Sequence, residues 1–112
     1  MTEISIDLSN YTTPASKVFS GQSRGKDLRQ ILNIEKYEKG DYSVSIIIPE
    51  DTYSVNPSFF LGFLGKTVKK LGEEVFNSKF KFICSSIIKE NINEGIKYSL
   101  KYSSIFDDEK GN

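Results

Sequence analysis

Residues 42–49, with the sequence YSVSIIIP, constrain the fold of this chain more than any other stretch. β-Branched residues dominate the stretch and Pro49 ends it, which together predict a strand. The run of three isoleucines at 46–48 indicates burial on both faces, because a half-buried strand would alternate apolar and polar residues. We therefore expect this strand to lie at the centre of a sheet that helices cover.

Patterns on either side of this strand alternate between strand and helix. Strands are predicted at residues 4–8 and within 77–86, because apolar residues recur there at every second position. Helical spacing predicts one helix before the isoleucine strand, a second at 58–72 and a third after residue 86. This β-α-β-α-β-α order is typical of an α/β fold, here with a small mixed or partly parallel sheet covered by about three α-helices. The sheet would have three strands, or four if residues 11–17 add one. The third helix has its apolar ridge at Ile88, Ile92, Ile96 and Leu100.

Length and composition are those of an ordinary globular domain. A chain of 112 residues predicts one domain, here residues 1–106, with a flexible charged tail at 107–112. The 15 basic residues balance 15 acidic ones, so nothing favours a nucleic acid or an anionic membrane as partner. No apolar run approaches about 18 residues and no leader of basic then apolar residues opens the chain. We therefore expect a cytoplasmic protein without a membrane span.

The chain has no histidine and one cysteine, Cys84. Histidine is the usual general base at neutral pH and the commonest metal ligand, and zinc sites are built mainly from cysteine and histidine. An enzyme would have to work with carboxylates, lysines and hydroxyls alone. The sequence therefore favours a protein that is not an enzyme and that holds neither cofactor nor metal.

The predicted helix at 58–72 divides into three stripes when its residues are placed about 100° apart. The broad apolar stripe, which we expect to face the sheet, contains Phe60, Phe63, Leu64, Thr67, Val68 and Leu71. The smooth stripe beside it contains Ser58, Gly62, Gly65, Lys69 and Gly72. The third stripe, on the outward face, contains Phe59, Lys66 and Lys70.

The smooth stripe needs a physical explanation, because each glycine within a helix costs about 1 kcal/mol relative to alanine. One explanation is close packing against a neighbouring helix or strand. The other is a docking strip for a partner protein, with Ser58 at its upper edge. An aromatic residue on the outward face supports the second, because folding alone gives it little reason to be there. The candidate partner-binding residues are Asn56, Phe59, Gly62, Gly65, Lys66 and Lys69.

The strand, loop and helix at residues 45–72 resemble the corresponding unit of STAS domains, the fold of anti-sigma-factor antagonists. In those domains a central strand leads into an Asp-Ser-Ser-Gly loop that opens a helix containing small residues. Asn56 stands at the position of the Asp, Ser58 at the second serine and Phe59 at the glycine, while Gly65 matches a glycine of the helix.

Two short motifs are more similar to the STAS-like family of unknown function. They are Pro57-Ser58-Phe59 at a helix start and Phe19-Ser20-Gly21 at an earlier turn, and the resemblance extends over about residues 4–102. It implies a STAS-like domain that acts as a regulatory interaction module. In STAS domains the second serine is phosphorylated by a partner kinase of the GHKL ATPase class, which makes Ser58 the phosphoacceptor candidate. The alternative for Ser58 is a plain N-cap of its helix, which would contribute about 1 kcal/mol.

Two functions of other classes stay open at this point. The turn Phe19–Lys26 could bind a small ligand or a nucleotide, with Gly21, Arg24 and Lys26 as weak anion-binding candidates. It is one residue short of a phosphate-binding loop, and Asp27 stands where that loop has the magnesium-binding Ser or Thr. The chain could also be a homodimeric scaffold that pairs through an exposed sheet edge or through the glycine stripe.

Overall fold

The computed structural model describes residues 1–11 and 17–110, with side chains as far as residue 101. Short 3-10 turns at Leu8–Tyr11 and Ile34–Tyr37 accompany the main elements. The strands and helices follow one another along the chain as β1 (Thr2–Asp7), β2 (Val18–Phe19), α1 (Gln22–Leu32), β3 (Tyr42–Ile47), β4 (Ser54–Val55), α2 (57–71), α3 (Glu73–Lys79), β5 (Phe80–Ile83) and α4 (Ser86–Lys110).

The main sheet has three parallel strands in the order β1-β3-β5. Parallel neighbours require a crossover connection, and α1 supplies the first crossover while α2 and α3 supply the second. The isoleucine strand, β3, is central, and its Val44 and Ile46 are completely buried. The predicted α/β class and the central position of this strand are confirmed.

The sheet has one buried face and one open face. Apolar side chains at alternate positions pack under the helices, and they are Ile4, Ile6, Val44, Ile46, Phe80 and Phe82. On the opposite face Ile47 is half-buried and Ile83 is 54% exposed. The prediction of burial on both faces of β3 is therefore wrong. Of the three isoleucines at 46–48, Ile46 and Ile48 turn inward, while Ile47 turns to the face that no described helix covers.

A second, two-stranded sheet stands apart from the first. β2 and β4 pair in parallel through Val18 with Ser54 and Phe19 with Val55. Each of these strands leads directly into a helix, β2 into α1 and β4 into α2. Of the predicted fourth strand at 11–17, Tyr11 lies in a 3-10 turn and residues 12–16 lie outside the described part of the chain.

Helix α2 begins one residue earlier than predicted. Asn56 is its N-cap, with the side-chain oxygen accepting the backbone N–H of Ser58 at 2.9 Å. Pro57 takes the first helical position, where its missing N–H has no partner to lose. Ser58 was predicted to be either the N-cap or a phosphoacceptor, and the N-cap is Asn56 instead.

The body of α2 contains an irregularity that the sequence did not predict. Regular turns at Pro57–Phe60 and Lys66–Leu71 flank a π-helical segment, Leu61–Gly65. Gly72 ends the helix with a φ of 84°, a conformation that disfavours residues with a Cβ. The separate helix α3 follows as far as Lys79, and β5 is Phe80–Ile83, within the stretch 77–86 that was predicted to contain a strand.

Helix α4 packs on α2 with its predicted ridge. Ile88, Ile92 and Ile96 are buried and Leu100 packs partly against the core, as the spacing predicts. Gly95 faces Phe60 so closely that a Cβ there would lie 2.6 Å from the ring. The backbone of α4 continues through 107–110, and residues 111–112 lie outside the described part.

Candidate functional site

Helices α1 and α2 touch through their glycines. A Cβ on Gly25 would collide with the carbonyl oxygen of Phe59 and the backbone nitrogen of Phe63. A Cβ on Gly62 would collide with the carbonyl oxygen of Gln22. Close packing, the first explanation of the smooth stripe, is therefore what the structure shows at Gly62.

Because of this contact, part of the predicted docking strip is covered by α1. Gly62 and Gly65 are both buried, so neither presents a surface on which a partner could dock. Lys66 is exposed and Lys69 half-buried, further along α2. The strip does not form one continuous outward surface.

The contacts also fix the relative direction of the two helices. Gln22 at the start of α1 lies against Gly62, while Arg29 near its end donates hydrogen bonds to Phe63 and Thr67. Both helices therefore run the same way, and the β2–β4 pair precedes both N-termini. The backbone N–H of Asn56 donates to the carbonyl of Phe19 at 2.7 Å, which ties the two starts together. The structure thus brings the Phe19–Lys26 turn and the start of α2 to one end of the molecule.

An apolar groove lies at this end, with a volume of about 180 Å³. Its walls include Tyr11, which is 42% exposed, and Ile31, which is 66% exposed. The side chains that line the groove are Tyr11, Phe19, Arg24, Asp27, Leu28, Ile31 and Phe59. Neither Tyr11 nor Ile31 was predicted to belong to a site. Ile31 carried no signal of one, because its helical spacing groups it with Leu28 and Leu32, and only the structure shows it on the solvent side of α1.

Phe59 forms part of the floor of this groove. It is 4% exposed, and its ring centroid lies 5.3 Å from that of Phe19 and 5.8 Å from that of Phe63. The helical wheel placed Phe59 on the outward face, and that placement is wrong. At this point α1 and the turn after β2 lie outward from α2, and they cover the ring of Phe59.

Ser58 stands in the first turn of α2, one residue before Phe59. Its hydroxyl donates to the side-chain oxygen of Asn56 at 2.7 Å, the same oxygen that accepts the Ser58 backbone N–H. Asn56 is exposed and Ser58 half-buried, so the hydroxyl lies outside the core. A group attached to it would meet the N-terminal end of the helix, where free backbone N–H groups favour negative charge.

The three anion-binding candidates do not converge. Gly21 is the N-cap of α1 with a φ of 92° and makes no side-chain capping bond. Arg24 lines the groove beside Asp27, a carboxylate one turn along the same helix, while Lys26 is exposed and does not line it. Within the groove the carboxylate of Asp27 offsets the positive charge of Arg24, and the charge of Lys26 lies outside the groove.

A buried polar cluster behind the glycine contact was not predicted. Arg29 donates to Thr67 and to Glu38, each at 2.8 Å, and the Thr67 hydroxyl donates to the same Glu38 oxygen at 2.5 Å. Lys70 lies 3.4 Å from the other oxygen of Glu38. Thr67 among the core positions of the helical wheel was the one sequence signal for this cluster.

The hydrogen bonds of this cluster set the ionisation of its carboxyl group. Burial alone would raise the pKa of Glu38, but the hydrogen bonds from Thr67 and Arg29 and the charge of Arg29 outweigh it, and the pKa lies below its ordinary value. Arg29 also donates to the carbonyl of Phe63, inside the π segment, at 3.0 Å. The cluster joins α1, the turn after it and α2, and we assign it a structural role.

Among the described side chains, at residues 1–11 and 17–101, no three cysteine or acidic residues are placed to hold a metal. Over the described ranges 1–11 and 17–110, no helix is both long enough and apolar enough to cross a bilayer. Comparisons of the chain with protein-family models, with curated proteins and with solved structures gave no match.

Proposed function

We propose that this protein is a non-enzymatic interaction module that binds a partner protein at the end where α1 and α2 begin. The observation that carries the proposal is the apolar groove, where the exposed Tyr11 and Ile31 stand over a floor that includes Phe19 and Phe59. Exposed apolar side chains grouped around a concavity are typical of protein interaction sites.

The dimensions of the groove favour an apolar side chain of a protein over a separate small molecule. Pockets for small ligands usually have volumes of about 300–1,000 Å³, and this groove has about 180 Å³. The charges of Arg24 and Asp27 oppose each other at its rim, which gives an anion such as a nucleotide little net attraction. Nucleotide binding at the Phe19–Lys26 turn is therefore the weaker proposal.

The position of Ser58 supports a phosphorylation switch on this surface. The serine precedes a groove residue, Phe59, and its hydroxyl lies at the start of a helix. A phosphate there would be stabilised by the helix N-terminus and would add about −1.5 to −2 charges beside the groove. A partner that inserts an apolar side chain next to acidic residues would then be repelled. The STAS-like resemblance suggests a GHKL-type ATPase as this partner, and a cytoplasmic setting.

A pair of matched variants tests the groove. The GHKL-type ATPase encoded nearest to this chain is titrated by calorimetry with the wild type, with Ile31→Glu and with Val75→Glu. Ile31 and Val75 are both exposed apolar helix residues, but Val75 lies on α3, outside the groove. We expect Ile31→Glu to lose at least about tenfold in affinity, about 1.4 kcal/mol, and Val75→Glu to bind as the wild type does. Equal affinities for the two variants would contradict the proposed site.

The switch is tested with the same proteins. The ATPase and ATP are added, and phosphate is mapped by mass spectrometry on the wild type and on Ser58→Ala. Phosphate at Ser58 together with weakened binding of the modified protein supports the switch. Phosphate at another residue would exclude Ser58 as the regulated atom, while groove binding would stand or fall on the calorimetry.

A further inference from the structure

The uncovered face of the main sheet is a second surface that is available to a partner. Sheets made only of parallel strands almost always have both faces covered, yet here the described helices cover one. We propose that a second copy of this chain covers the open face, so that two sheets stack in a symmetric dimer. This inference does not use the apolar groove and does not depend on the proposed function.

The apolar part of this face lies at the carboxyl ends of the strands. The register places Asp7, Ile47 and Ile83 in one row across the three strands. Ile83 is 54% exposed. Ile47 is at the middle of the row, where a symmetry axis along the central strand would bring it against its own copy.

The charges of the face are divided between its two outer strands. β1 carries Glu3 and Asp7 on this side, and β5 carries Lys81. The central strand contributes neutral Ser43 and Ser45 between them, and Ser45 is the register partner of Lys81. One edge of the open face is therefore acidic and the other basic.

This charge division selects one of the two ways in which the faces can stack. A two-fold axis parallel to the strands lays β1 of each copy over β5 of the other, so that Lys81 faces the partner's β1. Along the strand direction it is offset from the partner's Glu3 and the partner's Asp7 by one alternate-residue spacing, roughly 7 Å, and the long side chains have to span the roughly 10 Å between stacked sheets. An axis across the strands would instead lay β1 on β1 and set acidic side chains against one another, which is unfavourable. The face is self-complementary only in the first arrangement.

The size of the face sets the strength of the dimer. Three strands about 4.8 Å apart and about 20 Å long offer much less than the roughly 800 Å² per partner of a stable interface. The dimer is therefore weak and forms at high protein concentration.

Sedimentation velocity of the whole chain from about 1 µM to about 1 mM tests this inference. We expect the wild type to shift towards a dimer as its concentration rises. A single exposed charge pair has a small effect, but each of the changes Lys81→Glu and Glu3→Lys replaces an attraction by a repulsion at two symmetry-related places. Each should therefore weaken self-association by about tenfold. Lys97→Glu, a matched charge reversal at an exposed position of α4, should associate as the wild type does.

An equimolar mixture of the two variants gives the decisive result. With β1 over β5, the Lys81→Glu chain and the Glu3→Lys chain complement each other at both edges, so the mixture should recover wild-type association. If the wild type mixed with Glu3→Lys associates best, β1 lies on β1 and the arrangement is overturned. A wild type that stays monomeric at every concentration, or variants that associate unchanged, would overturn the dimer itself.

Discussion

At the scale of single residues, polar side chains at core positions were the hardest feature to interpret from the sequence. Thr67 fell among apolar residues on the helical wheel, but nothing in the order of residues showed that Arg29 and Glu38 would meet it. These three residues are separated by up to 38 positions, and their contact follows from the packing of α1 on α2. Periodicity identifies a buried position, whereas the partner of a buried polar group is decided by tertiary structure.

The residues around Ser58 show the same limit at close range. Pro57 correctly predicted a helix start, because proline fixes φ and lacks the N–H that a helix interior needs. The cap could not be assigned from the pattern, since Asn56 and Ser58 are both good N-cap residues. The structure assigns the cap to Asn56 and leaves the Ser58 hydroxyl bonded to it.

Because Glu38 is ionised within the buried cluster, the stability of the protein should depend on pH. Its pKa in the folded protein lies below the ordinary value of 4.5, so its contribution to stability is complete above that value and is lost as the pH falls through the folded pKa. At pH 7 we expect Glu38→Gln to lower the free energy of unfolding by about 2–4 kcal/mol, because the buried charge of Arg29 would then face a neutral amide in place of a carboxylate. The difference from the wild type should shrink below about pH 4.5.

Urea unfolding at several pH values between 7 and 3 measures this difference. Glu35→Gln, three residues earlier and exposed, is the control and should differ little from the wild type at any of these pH values. A Glu38→Gln deficit of the same size at pH 7 and pH 3 would show that the loss comes from packing and not from the charge.

At the scale of elements, strand and helix identities were largely predictable, and their irregularities were not. Alternating or branched apolar runs predicted β1, β3 and β5, and the ridge from Ile88 predicted α4. The π segment at Leu61–Gly65 was not predicted, because the helical wheel assumes a constant rotation of about 100° per residue, whereas the extra residue of a π turn rotates the face that follows it by up to about 100°. α3 was missed because its seven residues are too few for periodicity to register.

The glycine contact between α1 and α2 leads to a prediction about the stability of the fold. Alanine is favoured over glycine within a helix by about 1 kcal/mol, but a Cβ at Gly25 or Gly62 would enter the backbone of the other helix. We expect Gly25→Ala and Gly62→Ala each to reduce the free energy of unfolding by about 2 kcal/mol or more, since overpacking outweighs the propensity gain. Gln30→Ala, at an exposed position of α1, should be neutral in the same urea titration. A stabilised Gly25→Ala would mean that the helices can separate at no cost.

At the scale of the whole molecule, the order of elements predicted the α/β class, but not which faces of the sheet would be covered. The three isoleucines at 46–48 suggested a strand buried on both sides, whereas Ile47 turns to the uncovered face. Strand order and the number of covering layers depend on how the crossovers pack, which short apolar runs do not encode. The groove was likewise hidden, because it combines Tyr11 with Ile31 and Phe59 from three separate elements.

The two proposed surfaces lie on opposite layers of the molecule, and this separation yields the last prediction. The groove belongs to the helical layer, through Ile31, and the dimer face to the uncovered side of the sheet, through Lys81. Substitutions at distant sites without shared partners act independently. Ile31→Glu should therefore leave self-association unchanged, and Lys81→Glu should leave affinity for the partner protein unchanged, with the double variant showing both losses in full. Sedimentation and calorimetry on the four proteins measure the two quantities separately, and a double variant whose losses fail to add would mean that one contiguous surface serves both contacts.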